Sequence, residues 1–292
     1  MKINHSFSLC IWRSLAAGLT ALSISAAAPL QDRASKGGPA TVGLGEALVY
    51  RVEWSPPWYL FFLPDMEAGQ VRLTLTDENG GSERKALKID FTARSSGTLA
   101  RLAGVNVDDH FQSYVDPETL CTFSVKKRIR EGKRRRDVEV EYFASENRLR
   151  IRQVNAAVDP PKVDRDEFVD EIPACVRDIF AALYDTRRRE LRSGAAHRLL
   201  VGDDDKVKQI EARIEERESV KVPFGRFDAW KVETKALFGG LFKDGGQFRV
   251  WMTADERKVP VKFEVKVRLG KVTGELTSLT NVESAGEGRS QP

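Results

Sequence analysis

Run after run of apolar residues at every second position, each closed by a turn, is the feature that most constrains this chain. Successive side chains of a strand point to opposite faces, so a period of two makes one buried face and one wet one, and it does not suit a helix. The pattern is clearest at Glu218–Glu233 (ESVKVPFGRFDAWKVE). Val220 and Val222 approach Pro223-Phe224-Gly225, and Phe227, Ala229 and Val232 leave it. Proline presets φ at one corner of such a turn and glycine permits the left-handed backbone at the other. Strands joined this tightly are antiparallel neighbours. The same grammar recurs on both sides. Val71, Leu73 and Leu75 alternate with Arg72, Thr74 and Thr76 before Asp77-Glu78-Asn79-Gly80-Gly81, and Leu87, Ile89 and Phe91 return. Later come a hairpin of Leu120–Ile129 with Val138–Phe143, an Asp203-Asp204-Asp205 turn, and strands about the turn Leu269-Gly270-Lys271.

The period changes to 3.6 in one place. In Ala174–Thr186 (ACVRDIFAALYDT), Val176, Ile179, Phe180 and Leu183 fall on one stripe. Arg187-Arg188-Arg189 then stands in or after the last turn, where cations complement the helix dipole. The expected fold is therefore mainly β: one large antiparallel sheet over residues 45–280, curved into an open or incomplete barrel, with one short packed helix at about 174–186.

The ends read differently. Residues 1–28 have the layout of a cleaved secretory signal, with Lys2 and Arg13 flanking the n-region and an uncharged run Ser14–Ala28. Ser25-Ala26-Ala27 offers small residues for cleavage after Ala27 or Ala28, the alternative being an uncleaved anchor. Residues 29–44 are a polar, Gly- and Pro-containing linker, and 281–292 a disordered tail. These features point to the periplasm or another extracytoplasmic compartment, with membrane contact at most peripheral. The formal net charge of +4 includes Lys2 and Arg13, so the remainder carries +2, too near balance to imply a polyanion such as nucleic acid as partner.

Four features stand out as candidates for binding or bracing. Pro56–Pro64 (PPWYLFFLP) is a proline-bracketed aromatic cluster in which Trp58, Tyr59 and Phe61 are candidate ligand contacts. It reads either as a loop that touches a membrane or ligand, or as one folded back over the core. Lys126–Arg136 (KKRIREGKRRR) is either a grip for anionic headgroups or a charged hairpin tip that resists edge-to-edge pairing. Cys121 and Cys175 are either bridged or two buried thiols. Arg187, at the end of the helix, either meets an anionic ligand or pairs with a buried carboxylate and anchors the helix.

Catalytic and cofactor motifs are missing from the sequence. His110 follows Asp108-Asp109, but no nucleophile elbow accompanies it, and His197 lies far away. No zinc-binding spacing, phosphate-cradling glycine loop or calcium loop occurs, and Asp203–Asp205 lacks the spaced oxygen ligands of the last. The chain is therefore expected to be no enzyme, with no catalytic or metal residues and no cofactor.

From Gly45 to Leu279 the chain resembles the bacterial exported proteins grouped as domain of unknown function 3108. The likeness is carried by Gly45-Glu46-Ala47-Leu48-Val49-Tyr50 and Tyr114-Val115-Asp116-Pro117-Glu118-Thr119-Leu120. It continues in Leu183-Tyr184 with Arg187, Leu191 and Gly194, then in Val222–Phe227, and closes in Val250–Val261 (VWMTADERKVPV). The resemblance implies a mostly antiparallel β fold in the cell envelope and brings no activity with it. A looser likeness, of fold only, is to the lipid-carrying half-barrels of the periplasm. Two roles follow as expectations. One is binding a lipid or other amphipathic ligand in the concave face of the sheet, and the other is a non-catalytic scaffold for envelope proteins.

Overall fold

The computed structural model describes residues 43–60, 62–78, 85–97, 106–235, 247–267 and 270–281. All of them belong to one compact unit, Asp32–Pro292. The expected leader, most of the linker and the tail lie outside the described residues. So do Phe61 and the turn at Asn79–Gly81.

The first strands in chain order are β1 (Glu46–Ser55), β2 (Met66–Glu78), β3 (Ala86–Ser95), β4 (Asp108–Val115), β5 (Thr122–Glu131), β6 (Arg134–Phe143), β7 (Arg148–Asn155) and β8 (Lys162–Val169). The helix α1 (Ile179–Arg188) follows. The chain then continues through β9 (Ala196–Asp203), β10 (Lys206–Val222), β11 (Gly225–Lys235), β12 (Gln247–Thr253), β13 (Pro260–Val267) and β14 (Gly270–Asn281). All pair antiparallel in one 14-stranded sheet ordered β8-β7-β6-β5-β4-β3-β2-β1-β14-β13-β12-β11-β10-β9. Every neighbour is also a sequence neighbour except β1 and β14, which join the two halves from Glu46↔Asn281 to Ser55↔Lys271. The ends of the sheet, β8 and β9, share no ladder, so the barrel is not closed.

Alternation is why these segments are strands. The burial of β2 follows its sequence, with Val71, Leu73 and Leu75 inside and Arg72 outside. The main core joins Leu48, Tyr50, Leu73, Ile89 and Leu276 to Ala181 and Tyr184 of α1. Each large side chain so buried stabilises by about 1.5–3 kcal/mol. A second cluster, with Val140, Leu149 and Ile151, fills the β5–β7 half, and a third, with Ile214, Val232 and Val250, fills β10–β12. The central hairpin closes through Pro223-Phe224, and Gly225 takes φ +157°.

The helix starts five residues later than its apolar stripe suggests. Asp178 is the N-cap, accepting hydrogen bonds from the N–H groups of Phe180 (2.8 Å) and Ala181 (3.2 Å), which fixes the first turn there. The preceding residues cannot be helical because other elements use their backbone. Val176 carbonyl accepts from Thr122 N–H (2.8 Å), Arg177 N–H donates to Leu200 carbonyl (3.0 Å), and Gly202 N–H donates to Arg177 carbonyl (2.8 Å). Residues 176–177 thus bridge β5 and β9, and Cys121 and Cys175 are disulfide-bonded beside them.

Candidate functional site

Arg187 leaves the last turn of α1 and goes inward, 1% exposed. Its guanidinium pairs with both oxygens of Glu46, the first residue of β1: Nη1 with Oε1, and Nη2 with Oε2 at 3.0 Å. Nε (3.4 Å) and Nη2 (3.0 Å) also donate to Arg257 carbonyl in the β12–β13 turn. Tyr184 Oη donates to Glu46 Oε1 (3.0 Å), and the Arg187 guanidinium lies 5.0 Å from the Tyr184 ring centroid. Burial works against the Arg187 charge, but the Glu46 carboxylate outweighs it and raises the guanidinium pKa. Burial first, and Glu46 second, hold the Tyr184 phenol well above the ordinary tyrosine range. Gly43, at φ +82°, makes room for the pair, since a Cβ there would lie 2.7 Å from Glu46 Oε1 and 2.8 Å from Arg187 Nη1. A cleft of about 280 Å³ reaches Arg187 past Leu44 and Glu256. Every nitrogen of its guanidinium is nevertheless already bonded to protein, so Arg187 is an anchor here.

Arg188 also reaches away from the helix, donating to Pro117 (2.6 Å) and Glu118 (2.8 Å) carbonyls, whereas Arg189 folds back on Asp185 of α1 itself at 2.7 Å. Arg187 and Arg188 thus tie α1 to two separate places, which dipole compensation alone did not suggest.

The Asp203-Asp204-Asp205 turn occurs as expected, and its carboxylates meet protein cations. Lys127 Nζ lies 2.7 Å from Asp203 and 2.9 Å from Asp204, Arg136 3.4 Å from Asp204, and Arg165 3.2 Å from Asp205. This latch holds the β9–β10 turn against β5, β6 and β8. Burial opposes the Lys127 charge, but Asp204 and Asp203 together keep its ammonium above the ordinary lysine range. The basic run Lys126–Arg136 therefore divides. Lys127, Arg130 and Arg136 hold ion pairs, while Lys133, Arg134 and Arg135 are exposed at the β5–β6 tip, Arg134 beside Glu131.

The aromatic loop does not fold back over the core. Trp58 is 86% exposed, Tyr59 50% and Phe62 68%, on a 3-10 turn at Trp58–Leu60. The Trp58 and Tyr59 rings meet edge to face, 5.9 Å apart. Pro56, Pro57 and Trp58 form one wall of a cleft of about 440 Å³ whose other lining includes Arg249, Glu264, Lys266 and Lys271. Lys266 and Lys271 are cross-strand partners at the β13–β14 turn. Like charges directly opposite each other cost stability, so the pair is a standing demand for negative charge, met in part by Glu264 at 3.1 Å from Lys271. The sequence placed Lys271 inside the turn expected at Leu269-Gly270-Lys271 and assigned Lys266 no role; the register instead puts Lys271 in β14, directly across from Lys266.

His110 Nε2 lies 2.9 Å from Asp90 Oδ2, on the outer face of the sheet. The adjoining cleft of about 370 Å³ is lined by His110, Gln112, Lys126, Arg128, Glu139 and Arg152 among others, and none of its lining side chains bears a hydroxyl or thiol. His197 Nε2 instead meets Glu190 carbonyl (2.9 Å), and burial lowers its pKa. Among the described residues no group of three or more His, Cys, Asp or Glu side chains is placed to hold a metal ion, and no helix is long and apolar enough to cross a membrane.

Comparison with known proteins agrees with this architecture. The family model described as "Protein of unknown function (DUF3108)" matches residues 49–277. A crystal structure from Brucella abortus, described as a beta-barrel-like protein of domain of unknown function DUF1849, matches with a TM-score of 0.52 at 9% identity. The match covers 82% of this chain and 98% of that one. No curated protein matches the sequence. At that identity the structural likeness speaks to the fold.

Proposed function

Because the chain belongs to the DUF3108 family, whose function is unknown, we propose from its own geometry that it is a non-catalytic protein of the bacterial envelope that binds an amphipathic ligand with an anionic head. One observation carries this: the rim cleft sets the exposed Trp58 and its two prolines against the opposed lysines Lys266 and Lys271. An apolar wall facing cations suits a hydrocarbon body and a phosphate or carboxylate. The helix packs its Ala181 and Tyr184 into the core of the concave face, so we place the ligand at the rim of the sheet.

Titration with lysophosphatidylglycerol below its critical micelle concentration tests it, read by calorimetry or native mass spectrometry. Trp58→Ala and the double variant Lys266→Glu/Lys271→Glu should each weaken binding at least tenfold, a loss of about 1.4 kcal/mol or more. Unchanged affinity in both, or no binding by the wild type, overturns the proposal.

The scaffold reading keeps one observation in its favour. The outer edge of β8 carries no strand among the described residues and exposes Val163 (45%) and Phe168 (49%). An extended segment of an envelope protein would pair there. A proline in place of Asp166 would then abolish capture of that partner, and capture that survives would remove this reading.

A further inference from the structure

Two features that lie far apart in the sequence stand at the same end of the sheet. β1 ends at Ser55, opposite Lys271 of β14, and Trp54 faces Met66 of β2. The ladder continues from Gly69↔Ser95 through Arg94↔Asp108 to His110↔Arg128. It reaches the β5–β6 tip at Val107↔Glu131 and Glu131↔Arg134. The aromatic loop, the Lys266/Lys271 turn and the exposed tip Lys133-Arg134-Arg135 therefore all face one way. Next to that tip, Ala156 N–H donates to Arg135 carbonyl (2.9 Å), placing the β7–β8 turn and its exposed Val158 (46%) at the same end. Acidic residues are there too: Glu131 beside Arg134, Glu264 beside Lys271, Asp108 beside Arg94 and Arg128, Asp65 and Glu67 at the foot of β2, and Asp159 beside Val158.

We propose that this end of the sheet docks on the surface of an anionic phospholipid bilayer. Trp58, Tyr59 and Phe62 enter the headgroup region while Lys133–Arg135, Lys266 and Lys271 lie over the phosphates. Aromatic side chains with a polar tip favour the interface between water and hydrocarbon. Lysine and arginine clusters are drawn to anionic lipid within about a Debye length. Charge complementarity selects the bilayer: the exposed apolar groups are on loops, with the Lys266/Lys271 pair beside Trp58 and the Lys133–Arg135 tip beside Val158. This extends the ligand reading above and rests on it for the aromatic wall; the basic tip is independent of the cleft.

Co-sedimentation of the protein as processed and exported by the cell tests it, with vesicles of phosphatidylglycerol and phosphatidylethanolamine beside vesicles of phosphatidylcholine alone. Anionic vesicles should bind at least tenfold more tightly than neutral ones, and binding should weaken as salt rises. Lys133→Glu/Arg134→Glu/Arg135→Glu and Trp58→Ala/Phe62→Ala should each lose at least tenfold in vesicle affinity. The triple charge variant should keep wild-type affinity for monomeric lysophosphatidylglycerol, because none of its three residues lines the cleft. Equal binding to both vesicles, or variants that bind like the wild type, overturns the docking. A wild-type protein that binds monomeric lysophosphatidylglycerol but no anionic vesicle sinks the docking alone, and one that binds anionic vesicles but no lysolipid sinks the ligand site alone.

Discussion

Arg187 and Glu46, 141 residues apart in the sequence, form a two-point ion pair with side-chain exposures of 1% and 9%. Through it the end of the helix is fixed to the beginning of the sheet. Removing one partner leaves a buried charge without its counterion, which costs about 3–5 kcal/mol. Arg187→Met and Glu46→Leu should each lower stability in urea by about that amount, whereas the double variant should recover most of the loss. Single variants within about 1 kcal/mol of wild type would show that the pair does not anchor α1.

The disulfide Cys121–Cys175 closes a loop with a sequence separation of 54. On chain entropy alone it stabilises by about 4 kcal/mol. Cys121→Ser/Cys175→Ser should lose roughly that much in denaturant unfolding. In hydrogen exchange the first new openings should be the amides of Thr122, Arg177 and Gly202, which join residues 176–177 to β5 and β9. Uniform acceleration across the sheet would contradict the local clasp.

The charged latch should give the sheet a pH window. Burial raises the Asp205 pKa, but the Arg165 hydrogen bond prevails and keeps it below the ordinary 3.8. A depressed acid contributes stability above its unfolded value and loses it as pH falls through the folded one. Lys127, raised above the ordinary 10.5, contributes below that value and loses its share as pH rises through the folded one. Asp205→Asn should therefore lower Tm at neutral pH, and the difference from wild type should shrink below about pH 4. Asp205 is partly exposed, so solvent screening limits the effect to about 1 kcal/mol. A difference that persists at pH 2 would mean packing, not charge, explains the loss.

Gly274 lies beneath the Phe263 ring, and a Cβ there would come within 2.2 Å of it. The ring meets Tyr50 edge to face at 5.4 Å, so it cannot move without disturbing the core. Gly274→Ala should cost about 1–3 kcal/mol. In a Phe263→Leu background the same change should cost at least about 0.5 kcal/mol less. Strict additivity of the two would rule out the clash.

How far the sequence was legible can be judged element by element. β2, β3, β5, β6 and the central hairpin follow their alternation, because burying one face of a strand writes itself into every second residue. The helix was visible but misplaced, from Ala174 instead of Ile179. Val176 lies on the apolar stripe, yet it is buried against Val140 and Ile151 by a clasp that uses long-range backbone bonds. The aromatic loop was named, and its exposure was not settled, since the same residues serve a lid or a free loop.

The sequence by itself determined that this chain makes strands, where most of them turn, and that one helix interrupts them, because these follow from contacts between near neighbours. Only the tertiary structure decided that β1 pairs with β14, that Glu46 is the partner of Arg187, and that residues 176–177 join β5 to β9. It alone also put Trp58 at the same end as Lys133–Arg135. Each of these joins residues separated by dozens to hundreds of positions, and no local pattern records which distant partner a strand edge or a buried charge will meet.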